Sequence, residues 1–344
     1  MTQKKCDTKK EEVKKETHPE SKVQSVGILC SGGDAPGMNG VIRAVVRTAI
    51  AMGIKPVGIR RGWKGLLEGD FINLDASSVG NVMQKGGTIL QTSRCKEFHD
   101  PEIRKEAANI LRRKKVDALI VCGGNGSFSA AWLLHKEQGI PVVGIPGTID
   151  NDISGTDYTI GFDTAVTTAM EAVDKIRDTA HSHERTFIIE VMGRKSPAIA
   201  LHVGICSGAE NIVFPNDNIN FDDIYADIKR GMDRGKQSSI IIVAEGETPG
   251  LCYEIKQKLE EKYGVASHIC TLGHIQRGGS PTALDRFRAS RMGYHSVKWL
   301  MEGEMAVVTG YVNGSIKMVP LNECLENKKE YEKPYLEMIK VLAI

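Results

Sequence analysis

The chain has 344 residues, enough for two modest domains or one large α/β unit. It is 41% hydrophobic and 26% charged, the balance of an ordinary globular enzyme, and no apolar run reaches the roughly 18 residues needed to span a bilayer. Seven of the 45 basic and five of the 43 acidic residues fall in residues 1–24, leaving 38 of each for the body, a neutrality that argues against a nucleic-acid footprint.

Residues 1–24 hold lysines and acids with almost no apolar residues, so they are expected to form a disordered, solvated tail. From Val26 onward, short β-branched runs alternate with amphipathic stretches of helical length. In chain order the spacing predicts a strand at Val26–Cys30, a helix at Met38–Met52 and a strand at Lys55–Ile59. A helix at Ile103–Arg113, a strand at Ala118–Cys122, a helix at Ser127–Lys136 and a strand at Val142–Ile145 come next. The second half reads as a helix at Thr164–Ile176, a strand at Phe187–Val191, a helix at Phe221–Gly231 and a strand at Ile240–Val243. Helix Tyr253–Tyr263, strand Ile269–Leu272 and helix Asp285–Met301 complete the series. Such alternation predicts an α/β protein with mostly parallel sheets covered by helices, whose ligands bind beyond the carboxyl ends of the strands.

Three glycine-rich segments fall at those ends: Ser31–Gly37, Gly123–Ser127 and Pro146–Asp152. Glycine lets backbone N–H groups approach an anion, and a following helix adds its positive end. Three such segments on one edge predict a phosphate-rich pocket. None matches GxxxxGK[ST] or GxGxxG, so neither a P-loop nor a dinucleotide site is indicated. Eight cysteines without a CxxC pair point to a reducing, cytoplasmic setting with no disulfide or structural metal, and Cys30, Cys122 and Cys270 read as small buried hydrophobes.

Five motifs in order give the chain a specific likeness. They are Gly32–Asn39 (GGDAPGMN), Pro146–Asp152 (PGTIDND), Gly155–Phe162 (GTDYTIGF), Met192–Arg194 (MGR) and Leu272–Pro281 (LGHIQRGGSP). Together they resemble the bacterial-type phosphofructokinases from about Val26 to about Glu302. The resemblance implies two Rossmann-like lobes. One is a nucleotide-binding lobe at residues 25–160 completed by a return segment at 280–344, the other a sugar-phosphate lobe at 161–280. It implies transfer of the ATP γ-phosphoryl group to the 1-hydroxyl of fructose 6-phosphate with Mg²⁺, in a homotetramer.

Carried onto this sequence, the likeness makes Asp150 the base, Thr148 a contact of the transferred phosphate and Asp152 its support. A carboxylate at that point is what deprotonating a sugar hydroxyl requires. Arg194 and Arg94 would sit near the phosphoryl group, since the guanidinium fork and permanent charge suit phosphate. Gly33, Cys95, Gly124, Asn125, Gly126 and Ser127 would surround the nucleotide. Arg185, Met192, Gly193, Glu245, His268, His274 and Arg277 would hold the sugar phosphate, part of that grip crossing a subunit boundary. Arg43, Arg47, Arg177, Glu210 and Lys236 match positions that bind a nucleotide or acid effector, although Ala76 stands where a further effector arginine is expected.

The departures are specific. Asn125 replaces an aspartate that organises Mg²⁺, Cys95 an aromatic, His99 an arginine, and His268 an arginine that contacts the 6-phosphate. Gly126 and Gly147 stand where pyrophosphate users carry aspartate and lysine, which favours ATP. A weakly active or non-catalytic paralogue and a pyrophosphate-dependent enzyme remain open alternatives at this stage.

Overall fold

The computed structural model describes residues 23–183, 185–215, 219–247, 250–329 and 334–342. The expected charged tail therefore lies outside the described residues, apart from Val23 and Gln24. The larger lobe begins with β1 (Ser25–Ser31), α1 (Met38–Ala51), β2 (Lys55–Ile59), α2 (Gly62–Glu68) and β3 (Phe71–Asn73). It continues with α3 (Pro101–Arg113), β4 (Ala118–Gly123), α4 (Asn125–Gln138) and β5 (Val142–Pro146). The smaller lobe comprises α5 (Phe162–Ser182), β6 (Thr186–Val191), α6 (Ala198–Ser207), β7 (Asn211–Val213), α7 (Phe221–Asp233), β8 (Ser239–Ala244), α8 (Leu251–Tyr263) and β9 (Ser267–Thr271). Helix α9 (Ala283–Met301) then returns the chain to the larger lobe, where β10 (Val307–Val312), β11 (Ser315–Pro320), α10 (Leu321–Glu326) and α11 (Pro334–Leu342) follow.

Seven strands in the order β11-β10-β5-β4-β1-β2-β3 make the larger sheet, and four in the order β7-β8-β6-β9 make the smaller. All pairings are parallel except the two edge pairs, β10 with β11 and β2 with β3, which are antiparallel. The central strands are buried along their whole length, as SVGILCS and ALIVCG are, because helices cover both faces.

Register matters most at one edge. Ser31 pairs with Gly123 and Gly123 with Pro146, so the three glycine-rich segments leave the sheet side by side. Gly37 takes φ 106°, a left-handed turn that starts α1 without side-chain strain. Asp285 of α9, fully buried, accepts from the backbone N–H groups of Gly161 and Thr164 and from the Thr164 hydroxyl, tying α9 to the start of α5.

The structure corrects several boundaries. Helix α4 starts at Asn125, so only Gly124 separates it from β4, and Asn125, Gly126 and Ser127 form its first turn rather than a loop. Helix α3 starts two residues early because Asp100 caps it, accepting from Glu102 N–H, with Pro101 at the first position. Cys270 is half-buried, not a core residue like Cys30 and Cys122.

Candidate active site

Two cavities meet at the carboxyl edge of the larger sheet. The first, about 650 Å³, is lined at one end by Gly32, Gly33, Gly124, Asn125, Gly126, Ser127, Thr148, Asp150, Asp152, Arg194 and Arg277. Arg94 lines it too, and its other end is formed by Trp63, Cys95, Phe98, His99, Ala130 and Leu133. The second, about 470 Å³, is lined by Asp150, Asp152, Arg194, Lys195, Glu245, Gly246 and Glu247. Asp150, Asp152 and Arg194 belong to both walls.

Asp150 sits four residues past the end of β5 and is only 7% exposed. Its backbone N–H donates to Thr148 Oγ1 at 3.2 Å, and the segment is braced by Asn151, whose side-chain oxygen accepts from Thr159 N–H at 2.9 Å. Asp150 Oδ1 is buried and has no hydrogen-bond partner among the described residues. Burial, then the neighbouring Asp152 carboxylate, pushes the Asp150 carboxyl up to about 6, against the opposing pull of Arg277 and Arg194. A carboxylate held there can accept a proton near neutral pH.

Asp152 is fixed from α4. Asn125 Nδ2 donates to Asp152 Oδ2 at 3.0 Å and to its backbone oxygen at 3.4 Å. Arg194 leaves the end of β6 in a left-handed conformation, φ 51°, after Gly193 at φ 143°. Glu245 Oε1, one residue past β8, accepts from Arg194 N–H at 3.1 Å and Gly193 N–H at 3.3 Å, which holds the turn open to both cavities. Met192 is buried, its N–H donating to Gln276 Oε1 at 2.9 Å. Arg277 reaches across the lobes and donates from Nη1 to the Asp34 carbonyl at 3.0 Å. A Cβ at Gly33 would lie 2.4 Å from that nitrogen, so the glycine is what admits the arginine.

Not every expected residue converges. Arg185 precedes β6 and His268 pairs with Phe187 on β9, so both stand at the end of the smaller sheet opposite Arg194. The strand length between them and the cavity is roughly 15–20 Å. His268 is exposed, its ring 5.4 Å from that of Phe187. His274 is exposed in the turn after β9 and does not line either cavity. Among the effector candidates, Arg177 donates to Ser207 and Gly208 carbonyls, and Lys236 pairs with Glu210, at that same far end of the smaller lobe. Arg43 and Arg47 lie on α1 of the larger lobe.

Two residues that sequence reasoning passed over shape the first cavity. Trp63 and Phe98 are buried with ring centroids 4.5 Å apart, and both line its far end. The Trp63 Nε1–H is buried with no partner among the described residues. Glycines flank Trp63 in RGWKG, and nothing there distinguishes a pocket aromatic from a core one.

Comparisons with known proteins agree with this architecture. The Phosphofructokinase family model matches residues 25–300. ATP-dependent 6-phosphofructokinase of Halothermothrix orenii is 46% identical over 332 residues, covering 94% of this chain and 100% of that protein. The protein of the same name from Thermoanaerobacter pseudethanolicus is 49% identical over 327 residues, again 94% and 100%. Phosphofructokinase from Saccharomyces cerevisiae superposes with TM-score 0.83 at 35% identity, covering 88% of this chain and 45% of that longer one. A pyrophosphate-dependent phosphofructokinase from Marinobacter aquaeolei shares the fold, with TM-score 0.78 at 22% identity, covering 92% of this chain and 91% of that one. By sequence match, coverage and fold, the chain belongs to the phosphofructokinase family.

Proposed function

We propose that this protein is an ATP-dependent 6-phosphofructokinase, which transfers the γ-phosphoryl group of ATP to the 1-hydroxyl of fructose 6-phosphate and yields fructose 1,6-bisphosphate. The observation that carries the reading is the junction of two cavities at one buried, unpartnered carboxylate oxygen, that of Asp150. The larger cavity takes the nucleotide, with its phosphates at the glycine-rich end and the base between Trp63, Phe98 and Leu133. The smaller takes the sugar, beside Glu245. The curated relatives quoted above bear this activity in their names and are matched over their full length.

Asp150 Oδ1 accepts the proton of the 1-hydroxyl as that oxygen attacks phosphorus. Phosphoryl transfer asks little covalent chemistry of the protein and much positioning. Arg194, shared by both cavities, lies against the developing charge, and Thr148 and the Asn125 and Gly126 N–H groups at the start of α4 steer the phosphates. Arg277, anchored on Asp34, adds positive charge from the other lobe.

The family implies a divalent metal, which we read as Mg²⁺. Among the described residues no group of three or more His, Cys, Asp or Glu is placed to hold a metal by itself. That fits Mg²⁺, which takes one or two carboxylates and completes its shell with substrate phosphates and water. Asp152 would hold it, anchored by Asn125, whose amide supplies no charge of its own. When bound, the ion would offset charge on the nucleotide phosphates.

Arg185 and His268 serve a neighbouring copy in this reading, since they share one end of the smaller sheet away from their own cavity. That supports an oligomer in which subunits complete each other's sugar-phosphate site, a homotetramer by likeness. Arg177, Glu210 and Lys236 would join Arg43 and Arg47 of another subunit around a nucleotide or acid effector.

A coupled assay of the purified protein with fructose 6-phosphate and Mg²⁺ tests the donor. The expected result is fructose 1,6-bisphosphate with ATP and none with pyrophosphate. Product from pyrophosphate alone would overturn the ATP assignment, and none from either donor would favour a silent paralogue.

A further inference from the structure

The sugar-side cavity is short of positive charge. Its wall carries four carboxylates, Asp150, Asp152, Glu245 and Glu247, against two cations, Arg194 and Lys195. Three of the acids have tasks. Asp150 faces the hydroxyl, Asp152 accepts from the Asn125 amide, and Glu245 accepts from the N–H groups of Gly193 and Arg194. Glu247 has none of these, and its Oε1 lies 2.8 Å from Lys195 Nζ in an ion pair.

The fold brings that pair to the rim of the cavity. Strands β6 and β8 are parallel neighbours with Val191 opposite Ala244, so the segments after them leave the sheet side by side. Lys195 lies four residues past the end of β6 and Glu247 three past the end of β8. Gly246 takes φ 69°, and a Cβ there would fall 2.7 Å from Pro215, so the turn between the two glutamates favours glycine. That turn leaves Glu245 on the backbone of Gly193 and Arg194, and Glu247 on the side chain of Lys195.

The Lys195 and Glu247 side chains are 72% and 65% exposed. An ion pair in water is weak, because solvent screens it and two long side chains must be held in one geometry. It exchanges readily for a stronger anion, and a phosphate ester near neutral pH carries close to two negative charges where Glu247 offers one. Arg194 lines both cavities and Lys195 only the sugar's, so the ammonium faces the sugar and not the nucleotide. Lysine also suits the exchange, being a compact point charge on a flexible stem.

We propose that Lys195 is a substrate-binding residue for the phosphate of the sugar, and that Glu247 is its built-in competitor. When the phosphosugar enters, Lys195 leaves Glu247 for the phosphate, and the freed carboxylate turns to solvent. The chain thus restrains its own affinity, and the KM for the sugar stands above what the cavity would otherwise give. This rests on the kinase reading above and adds a contact to it.

The test is steady-state kinetics of the full-length protein at saturating ATP and Mg²⁺, with fructose 6-phosphate varied and its binding followed in parallel by calorimetry. Glu247→Gln should lower the KM for fructose 6-phosphate about threefold, the scale of an exposed ion pair. Lys195→Met should raise it about tenfold, the scale of a contact to a charged group, and Lys195→Arg should stay within about threefold of the parent. In each case kcat should change less than about twofold, because the transferring phosphoryl group faces Arg194. The double variant should match Lys195→Met, since Glu247 acts only by holding Lys195. An unchanged KM in Lys195→Met would overturn the proposal, as would a raised KM in Glu247→Gln. A loss confined to kcat would place Lys195 on the transferring group instead, and additive effects in the double variant would remove Glu247 as competitor. A parent that binds fructose 6-phosphate without turning it over would sink the kinase reading, and the same binding shifts would still decide the fate of the pair.

Discussion

Asn125 and Asp152 are 27 residues apart in sequence and joined by a 3.0 Å hydrogen bond from the amide nitrogen to the carboxylate. An aspartate at 125 would set two carboxylates against each other at that distance. Such a pair repels unless a cation lies between them.

Asn125→Asp should therefore make the protein depend on metal for stability. We expect its unfolding temperature in a chelator to fall by about 1–2 °C, the effect of roughly 1 kcal/mol in a chain of 344 residues, and to recover in Mg²⁺. Half-saturation by Mg²⁺ in the assay should drop below that of the parent. Melting curves with and without Mg²⁺ check the first point and a metal titration the second. An unaltered melting temperature in chelator would mean the two side chains do not meet.

Much of this site was legible in the sequence, and the reasons are local. The glycine segments after β1, β4 and β5 are set by strand-end turns, so pattern and position suffice to find them. Asp150 and Arg194 came from motifs and Glu245 from the wider resemblance, yet their mutual distances depend on how two sheets face each other, which no single stretch encodes. Trp63 was missed because its pocket role arises only when α2 packs against the turn holding Phe98. Arg185 and His268 look like neighbours of Arg194 in the motif order, but a strand's length separates them, because residues at opposite ends of β6 cannot share one pocket.

The pH dependence follows from the raised Asp150 carboxyl. Below about pH 6 it carries a proton and cannot accept another, so kcat should fall close to tenfold per pH unit on the acid side. Asp152→Asn removes the second-largest cause of the shift and should move that midpoint to lower pH, whatever it does to the maximal rate. The folded state holds this proton more tightly than the unfolded chain between about pH 4 and 6, so the group's contribution to stability declines as pH rises through that window. Asp150→Asn should then stabilise the protein at pH 8, on the order of 2 kcal/mol, and not at pH 3.5. Calorimetric melting at the two pH values checks the sign.

Gly126 and Gly147 differ in what they tolerate. A Cβ at Gly126 meets nothing within 4 Å, so Gly126→Asp should fold with an unchanged melting temperature. Its carboxylate would face the nucleotide phosphates in the first turn of α4, and the KM for ATP should rise at least tenfold. At Gly147 the added Cβ strikes Cys122 Sγ at 2.6 Å and approaches Met38 at 3.2 Å, so Gly147→Ala should lose about 1–3 kcal/mol of stability. Equal melting temperatures for the two variants would contradict the packing described.

Trp63→Leu tests the far end of the nucleotide cavity. Removing an indole that packs tilted against Phe98, ring centroids 4.5 Å apart, and carries a buried N–H with no partner among the described residues should raise the KM for ATP about tenfold and change kcat little. Trp63→Phe keeps the ring and loses the N–H, so the difference between the variants separates stacking from hydrogen bonding. Steady-state kinetics at saturating fructose 6-phosphate give both numbers. No change in either variant would remove Trp63 from nucleotide recognition.

Everything rests on Asp150 as the base at the meeting point of the two cavities. The most direct measurement is a single-turnover rate of fructose 1,6-bisphosphate formation from ATP and fructose 6-phosphate for Asp150→Asn, with sugar-phosphate binding measured alongside by calorimetry. The account predicts a rate at least 10²-fold below the parent, the scale of a lost general base, with fructose 6-phosphate affinity within about threefold because no phosphate contact is removed. A variant that turns over at near the parental rate while binding the sugar normally would contradict it.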